Sequence, residues 1–250
     1  MNTNATIPTF TSPSTGTIPV MVEASQVFPI LSPAEQREFL DILTGFRAQV
    51  EIQGNSAAYL KGISGAAHIR DSDVPAAKAM VLDTCDWKMA QGLRCSTPTR
   101  IAEAAPYLER VMAQFRDSHN DGEVDETPEM YLGVALHKTL GQEEAAIAHF
   151  RLAFEASPYI QMQLRTQLWA RACFSRLLRR MGRISDAEEQ EDMIGNWISG
   201  HPYAMPPDEF FQLVTDPEHE GKDYILEHLQ VKQTLGNIVQ IGPGMAVSFG

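Results

Sequence analysis

The chain has no run of about 18 apolar residues, so it contains nothing that would cross a bilayer as a helix. It is also short of cysteine. Cys85, Cys95 and Cys173 are odd in number and lack C-x-x-C spacing, which argues against a secreted disulfide scaffold and for a reducing compartment. Positive charge is scarce: 20 Lys and Arg stand against 32 Asp and Glu, for a net charge of -12. Nucleic acid and anionic membranes both require a positive field, so neither is an expected partner. The first thirty residues carry one charge, Glu23, with no basic n-region, continuous apolar stretch or Arg-rich amphipathic segment. A cytoplasmic or nuclear location is the expectation.

Chemical motifs are missing too. No G-x-S-x-G, P-loop, G-x-G-x-x-G or H-E-x-x-H occurs, and the seven histidines show no recognised metal spacing. The acidic stretch 117–129 places Asp117, Asp121, Gly122 and Asp125 much as a calcium loop would. Pro128, however, stands where the closing Glu belongs, and His119 replaces an oxygen ligand. No metal, cofactor or catalytic residue is predicted, and 117–129 reads as a solvated linker.

What is present is helix. Ser32-Pro33-Ala34-Glu35 is a capping box with Pro at the first helical position, and Phe39, Ile42, Leu43, Phe46 and Val50 follow at helical spacing. Asp73-Val74-Pro75 and Ser96-Thr97-Pro98 read as further helix starts, with Pro106 kinking or dividing the second of these. Thr127-Pro128 opens a helix that Leu140-Gly141 closes. Ser185-Asp186-Ala187-Glu188 reads as another capping box. Asp208 to Val214 is a short helix. Residues 1–25, rich in Ser, Thr, Pro and Asn, read as a disordered tail. Residues 237–250 read as two short extended runs about Gly242-Pro243-Gly244.

Within 130–158, Ala146, Phe150, Ala153 and Pro158 keep the A-x3-F-x2-A-x4-P intervals of a tetratricopeptide second helix. On these residues the segment 127–197 resembles the tetratricopeptide repeat family. The match is imperfect: Met130 takes the aromatic position, Gly133-Val134 inverts apolar-then-small, and His137 replaces a Tyr. A second, weaker copy runs through Phe174-Ser175, Leu178, Met181-Gly182 and Ala187, with Glu191 where Phe is usual and Ser199 where Pro is usual. Gly141 and Gly182 stand 41 residues apart, against the 34 of a strict repeat, which predicts a lengthened first helix in the second copy. The resemblance implies an all-α, right-handed stack of antiparallel helical hairpins, an α-solenoid. The expected organisation is N-terminal hairpins at 26–118, repeats at 127–200 and C-terminal helices with the tail at 207–250, with 26–235 forming one domain. It also implies a concave surface, lined by first helices, that binds peptides. A Lys and Asn clamp for C-terminal carboxylates is not evident.

The candidate site comes from charge. From Ala156 to Ser185 there is no acid but there are six arginines. As one helix from Gln161 to Met181, Ala170, Phe174, Leu177, Leu178 and Met181 make an apolar face. Arg165, Arg176, Arg179, Arg180 and the flanking Arg183 lie opposite, with Trp169 and Cys173 among them. Arginine forks suit carboxylate or phosphate, so this face, with Tyr131 and His137, is the predicted seat of an acidic or phosphorylated protein segment. Neutralisation of the chain's own acids, including Glu188, Glu189, Glu191 and Asp192, explains the same pattern. Two other readings stay open. One is a small-ligand or enzymatic pocket near Trp197, His201, Tyr203 and Asp208. The other is a homo-oligomer pairing through a repeat end or the tail.

Overall fold

The computed structural model describes residues 28–64, 68–119, 122–160, 165–202 and 204–230. The head and tail expected at 1–25 and 237–250 lie outside them. Among the described residues the protein is all-α, with ten α-helices and three 3-10 turns. Contacts divide the chain into two compact units, Met1–Arg100 and Ile101–Gly250. The acidic stretch 117–129 therefore lies inside the second unit.

In the first unit, α1 spans Pro33–Gln53, α2 Ala57–Ser64 and α3 Val74–Cys95. The capping box at Ser32 and Glu35 forms as the residues require. Phe39, Leu40, Leu43 and Val50 of α1 meet Cys85, Met89, Ala90 and Leu93 of α3 in the core. A buried pair, Arg47 to Asp86 at 2.7 Å, crosses the same seam. Asp73 does not cap α3 through its side chain. Its carboxylate is taken by Arg70 at 3.0 Å.

In the second unit a 3-10 turn, Ile101–Ala104, precedes α4, Ala105–Ser118. Ser96-Thr97-Pro98 does not start this helix. Pro106 stands in its first turn, where a missing N–H costs nothing, and so begins the helix instead of kinking it. α5 spans Glu126–His137 and is capped by Asp125, not Thr127; the Asp125 carboxylate accepts the Thr127 N–H at 3.3 Å. α6 is Glu143–Ala156, α7 Thr166–Arg180, α8 Ile184–Gly200 and α9 Asp208–Val214. A last helix, α10, covers 222–230.

Packing is mostly between neighbours in sequence: α4 on α5, α5 on α6, α6 on α7, and α7 on α8 and α9, with α5 also meeting α7. Gly141 and Gly182 turn the two hairpins over at φ +80° and +73°, conformations that penalise any side chain. Gly133 has a packing reason to be glycine. A Cβ there would come within 2.8 Å of the Phe150 ring. Gly133 is thus a point of close approach between α5 and α6, beside the fully buried Phe150. The predicted lengthening of the second copy is only partly helical, since α7 has 15 residues against 12 in α5.

Candidate functional site

α7 is a central helix. With α5, α6, α8 and α9 all against it, burial runs almost all the way round, from Gln167 to Ser175 and on to Leu177 and Leu178. A two-faced reading of its sequence therefore fails on one side. Trp169 and Cys173, placed among the arginines by their spacing, are 6% and 0% exposed. Trp169 instead packs toward the buried Tyr131 of α5, with ring centroids 6.3 Å apart. Burial pushes the Cys173 thiol up to about 11, which keeps it protonated and inert.

Most of the predicted arginines are engaged within the chain. Arg176 donates to Asp216 at 2.8 Å and lies 3.6 Å from Glu218. Arg179 grips the buried Glu191 with two parallel bonds of 2.7 Å, and Ser175 donates to the same carboxylate at 2.5 Å. Those bonds from Glu191 hold the Arg179 pKa above its usual value. Glu191 is thus the buried acid of a pinned ion pair between α7 and α8. Arg183 bonds Asp186 at 2.9 Å, and Arg165 donates to the Met205 carbonyl at 2.8 Å. Neither Arg176 nor Arg179 is an open cation: α9 packs on α7 and the turn after it reaches Arg176, while Glu191 of α8 holds Arg179. In α9 and α10, Phe210, Val214 and Ile225 are fully buried and Leu229 nearly so. Tyr224 donates to Asp192 at 2.6 Å, and Gly195 lets the His228 ring approach α8.

Arg180 is different. It is exposed and forms no ion pair with any carboxylate among the described residues. Its guanidinium donates to Nδ1 of His137 at 3.1 Å, which fixes that ring as the Nε2–H tautomer. His137 is buried at the C-terminal end of α5, and Lys138, exposed and likewise without an ion pair, follows it directly. Burial, and then the cations Lys138, Arg180 and Arg176, push the His137 pKa down to about 3. His219, also buried, is pushed down to about 4 by burial and by Arg176. Sequence reasoning missed Lys138, although its place at a helix end beside His137 was legible.

It also missed Arg171. This residue stands at i, i+3 and i+7 with Phe174 and Leu178, on the apolar stripe, and is only 1% exposed. Its guanidinium stacks on Phe154 at 4.0 Å and donates to Gln190 at 2.6 Å and to the Pro158 carbonyl at 2.9 Å. It thereby satisfies backbone left over at the end of α6.

Among the described residues, two cavities of this unit bear on the candidate site. One, of about 250 Å³, is lined by Met112, Phe115, Val124, Asp125, Glu129 and Leu152 among others. Glu129 there is bound to His149 at 2.5 Å. The other, of about 240 Å³, has Arg171, Phe154, Phe174 and Met193 in its wall. Neither is lined by Trp197, His201 or Asp208. Trp197 donates to the Ile160 carbonyl at 3.1 Å and His201 stacks on its ring, while Tyr203 lies outside the described residues. Among the described residues no His, Cys, Asp and Glu cluster could hold a metal ion, and no helix is long and apolar enough to cross a membrane. No protein-family model, curated protein or solved structure matches the chain.

Proposed function

We propose that the second unit is a protein-interaction module that receives an acidic or phosphorylated segment at Lys138, His137 and Arg180. The observation that carries this reading is the pair of exposed cations, Lys138 and Arg180, without a carboxylate partner on a protein of net charge -12. Beside them Arg176 already holds Asp216 and Glu218, an acidic segment of the chain itself. A partner's acids would extend that row. On this reading α5 to α8 are two tetratricopeptide-like hairpins of a short solenoid. Support comes from the turn glycines, the buried Ala146, Phe150, Ala153 and Ala187, and the covering of α7 by α9 in the manner of a terminal cap. The predicted set of Arg165, Trp169, Arg176, Arg179, Arg183 and Tyr131 then serves the frame, and contact falls to Arg180, His137 and the added Lys138.

The test is titration of a fluorescent Asp/Glu-rich peptide and its phosphoserine analogue into the full chain by anisotropy. Lys138→Glu with Arg180→Glu should weaken binding by at least roughly tenfold, since a hydrogen bond to a charged group contributes about 1.5–3 kcal/mol. Helical circular dichroism should be unchanged, and added salt should weaken the wild type. Equal binding by the double variant would sink the proposal, as would no binding by the wild type at low salt.

A further inference from the structure

From the two hairpin turns of the second unit we infer an apolar contact surface beside the cations, fitted to an acidic peptide segment that carries bulky apolar side chains among its carboxylates. The inference rests on the reading of Lys138 and Arg180 as contact cations and adds a second chemistry to it. Leu140 is 95% exposed, more than any other large apolar side chain among the described residues. Met181 and Ile184 are 39% and 44% exposed. Local structure asks for none of them. Gly141 and Gly182 make the turns by taking positive φ, and a polar residue beside either would serve the turn as well. A single apolar side chain on a surface is ordinary, but several gathered among polar groups mark a contact site.

These three side chains share one end of the helical hairpins. α5 leads into Leu140 and α7 into Met181, and the bond between Arg180 and His137 at 3.1 Å ties the two helix ends together. Met181 directly follows Arg180, and Leu140 stands two residues after Lys138, so each turn pairs an exposed cation with an exposed apolar side chain. Ile184 opens α8 just past the second turn. Two acids at the heads of the following helices are already engaged. Glu143 accepts the Gly141 N–H at 3.3 Å, and Asp186 takes Arg183 and Arg151. A partner with carboxylates alone would meet Lys138 and Arg180 and leave the apolar side chains in water. One with apolar side chains between its carboxylates would cover both. An anionic bilayer offers the same two chemistries but repels a chain of net charge -12.

The experiment is anisotropy titration of the full chain with three labelled peptides of equal length: Asp/Glu with Ser spacers, Asp/Glu with Leu spacers, and Asn/Gln with Leu spacers. The Leu-spaced acidic peptide should bind roughly tenfold more tightly than the Ser-spaced one, the gain expected from covering one leucine-sized side chain. It should also outbind the uncharged peptide. Leu140→Ser with Met181→Ser, both at exposed positions, should bring it down to the affinity of the Ser-spaced peptide with helical circular dichroism unchanged. Leu140→Ser alone, which has almost no packing to lose, should remove part of the gain. Ile52→Ser with Met80→Ser, also exposed but in the first unit, should leave the gain intact. If the Ser-spaced peptide binds and leucine adds nothing, this inference falls and the electrostatic reading stands; binding by neither acidic peptide ends both. An unchanged gain in the Leu140 and Met181 variant, its loss in the Ile52 and Met80 variant, or equal binding by the uncharged peptide would each overturn the inference. So would phosphatidylserine vesicles that hold the wild type and release the Leu140 and Met181 variant, a result that assigns the surface to a membrane.

Discussion

Gly221→Ala tests whether the Glu191 carboxylate is a fixed part of the frame. Gly221 has φ +80°, and a Cβ built there would fall 2.2 Å from Oε1 of Glu191 and 2.7 Å from its Cδ. Gly141, also at φ +80°, and Gly182, at +73°, have nothing within 4 Å of the same point. All three substitutions therefore share the left-handed backbone cost, about 1–2 kcal/mol for an L-residue. They differ in the neighbour. A lone Glu side chain would swing aside cheaply. Glu191 is only 2% exposed and is held by Ser175 at 2.5 Å and by Arg179 twice at 2.7 Å. Surrendering even one of these charge-assisted bonds costs about 1.5–3 kcal/mol. Gly221→Ala should thus cost about 2.5–5 kcal/mol against about 1–2 for Gly141→Ala or Gly182→Ala. Urea titration followed by tryptophan fluorescence measures this, in a Trp87→Phe background so that Trp169 and Trp197 report the second unit alone. A Glu191→Ala and Gly221→Ala cycle should show coupling above about 1 kcal/mol, because removing the carboxylate removes the clash. Equal costs at all three glycines would refute the reasoning.

Acid should destabilise the second unit well before its carboxylates titrate. His137 and His219 have folded pKa values of about 3 and about 4, so below their unfolded value of about 6.5 the unfolded chain binds more protons and stability falls with pH. The loss should be about 2 kcal/mol for each between pH 7 and pH 5. Asp216, its pKa lowered by the Glu218 N–H and by Arg176, adds a further loss only below the ordinary carboxylate range, while Asp125, raised by burial, acts in the opposite sense. Denaturant midpoints across that range measure it. A flat profile in the wild type, or an unchanged slope in His137→Gln with His219→Gln, would contradict the assignment. At the α5–α6 contact, Gly133→Ala should cost about 1–3 kcal/mol by overpacking against Phe150. Pairing it with Phe150→Leu should recover part of that loss, and additive losses would show that the ring is not the obstacle.

Helix existence and most turns were decided locally and are legible in the sequence. The Ser32 and Glu35 box, the turns at Gly141 and Gly182, the short helix from Asp208 and the burial of Ala146, Phe150 and Ala153 follow from capping chemistry, backbone freedom and 3.6-residue periodicity, none of which needs a distant residue. Helices do begin beside Thr127 and Ser185, but Asp125 caps the first in place of Thr127, the helix at Ala105 begins well after Ser96 with no side-chain cap, and the helix at Ile184 begins without the Ser185 box. Asp186 is bound by Arg183 and Arg151 instead. The arginine face was legible as composition but not as a surface. An amphipathic helix has one buried face only when one layer covers it, and α7 is covered on several sides. Which cations stayed open therefore depended on residues 12 to 43 positions away: Glu191 for Arg179, Asp216 for Arg176, His137 for Arg180. Charge sign and helical periodicity are properties of the chain. Pairing and burial of those charges are properties of its packing, which only the tertiary structure decides.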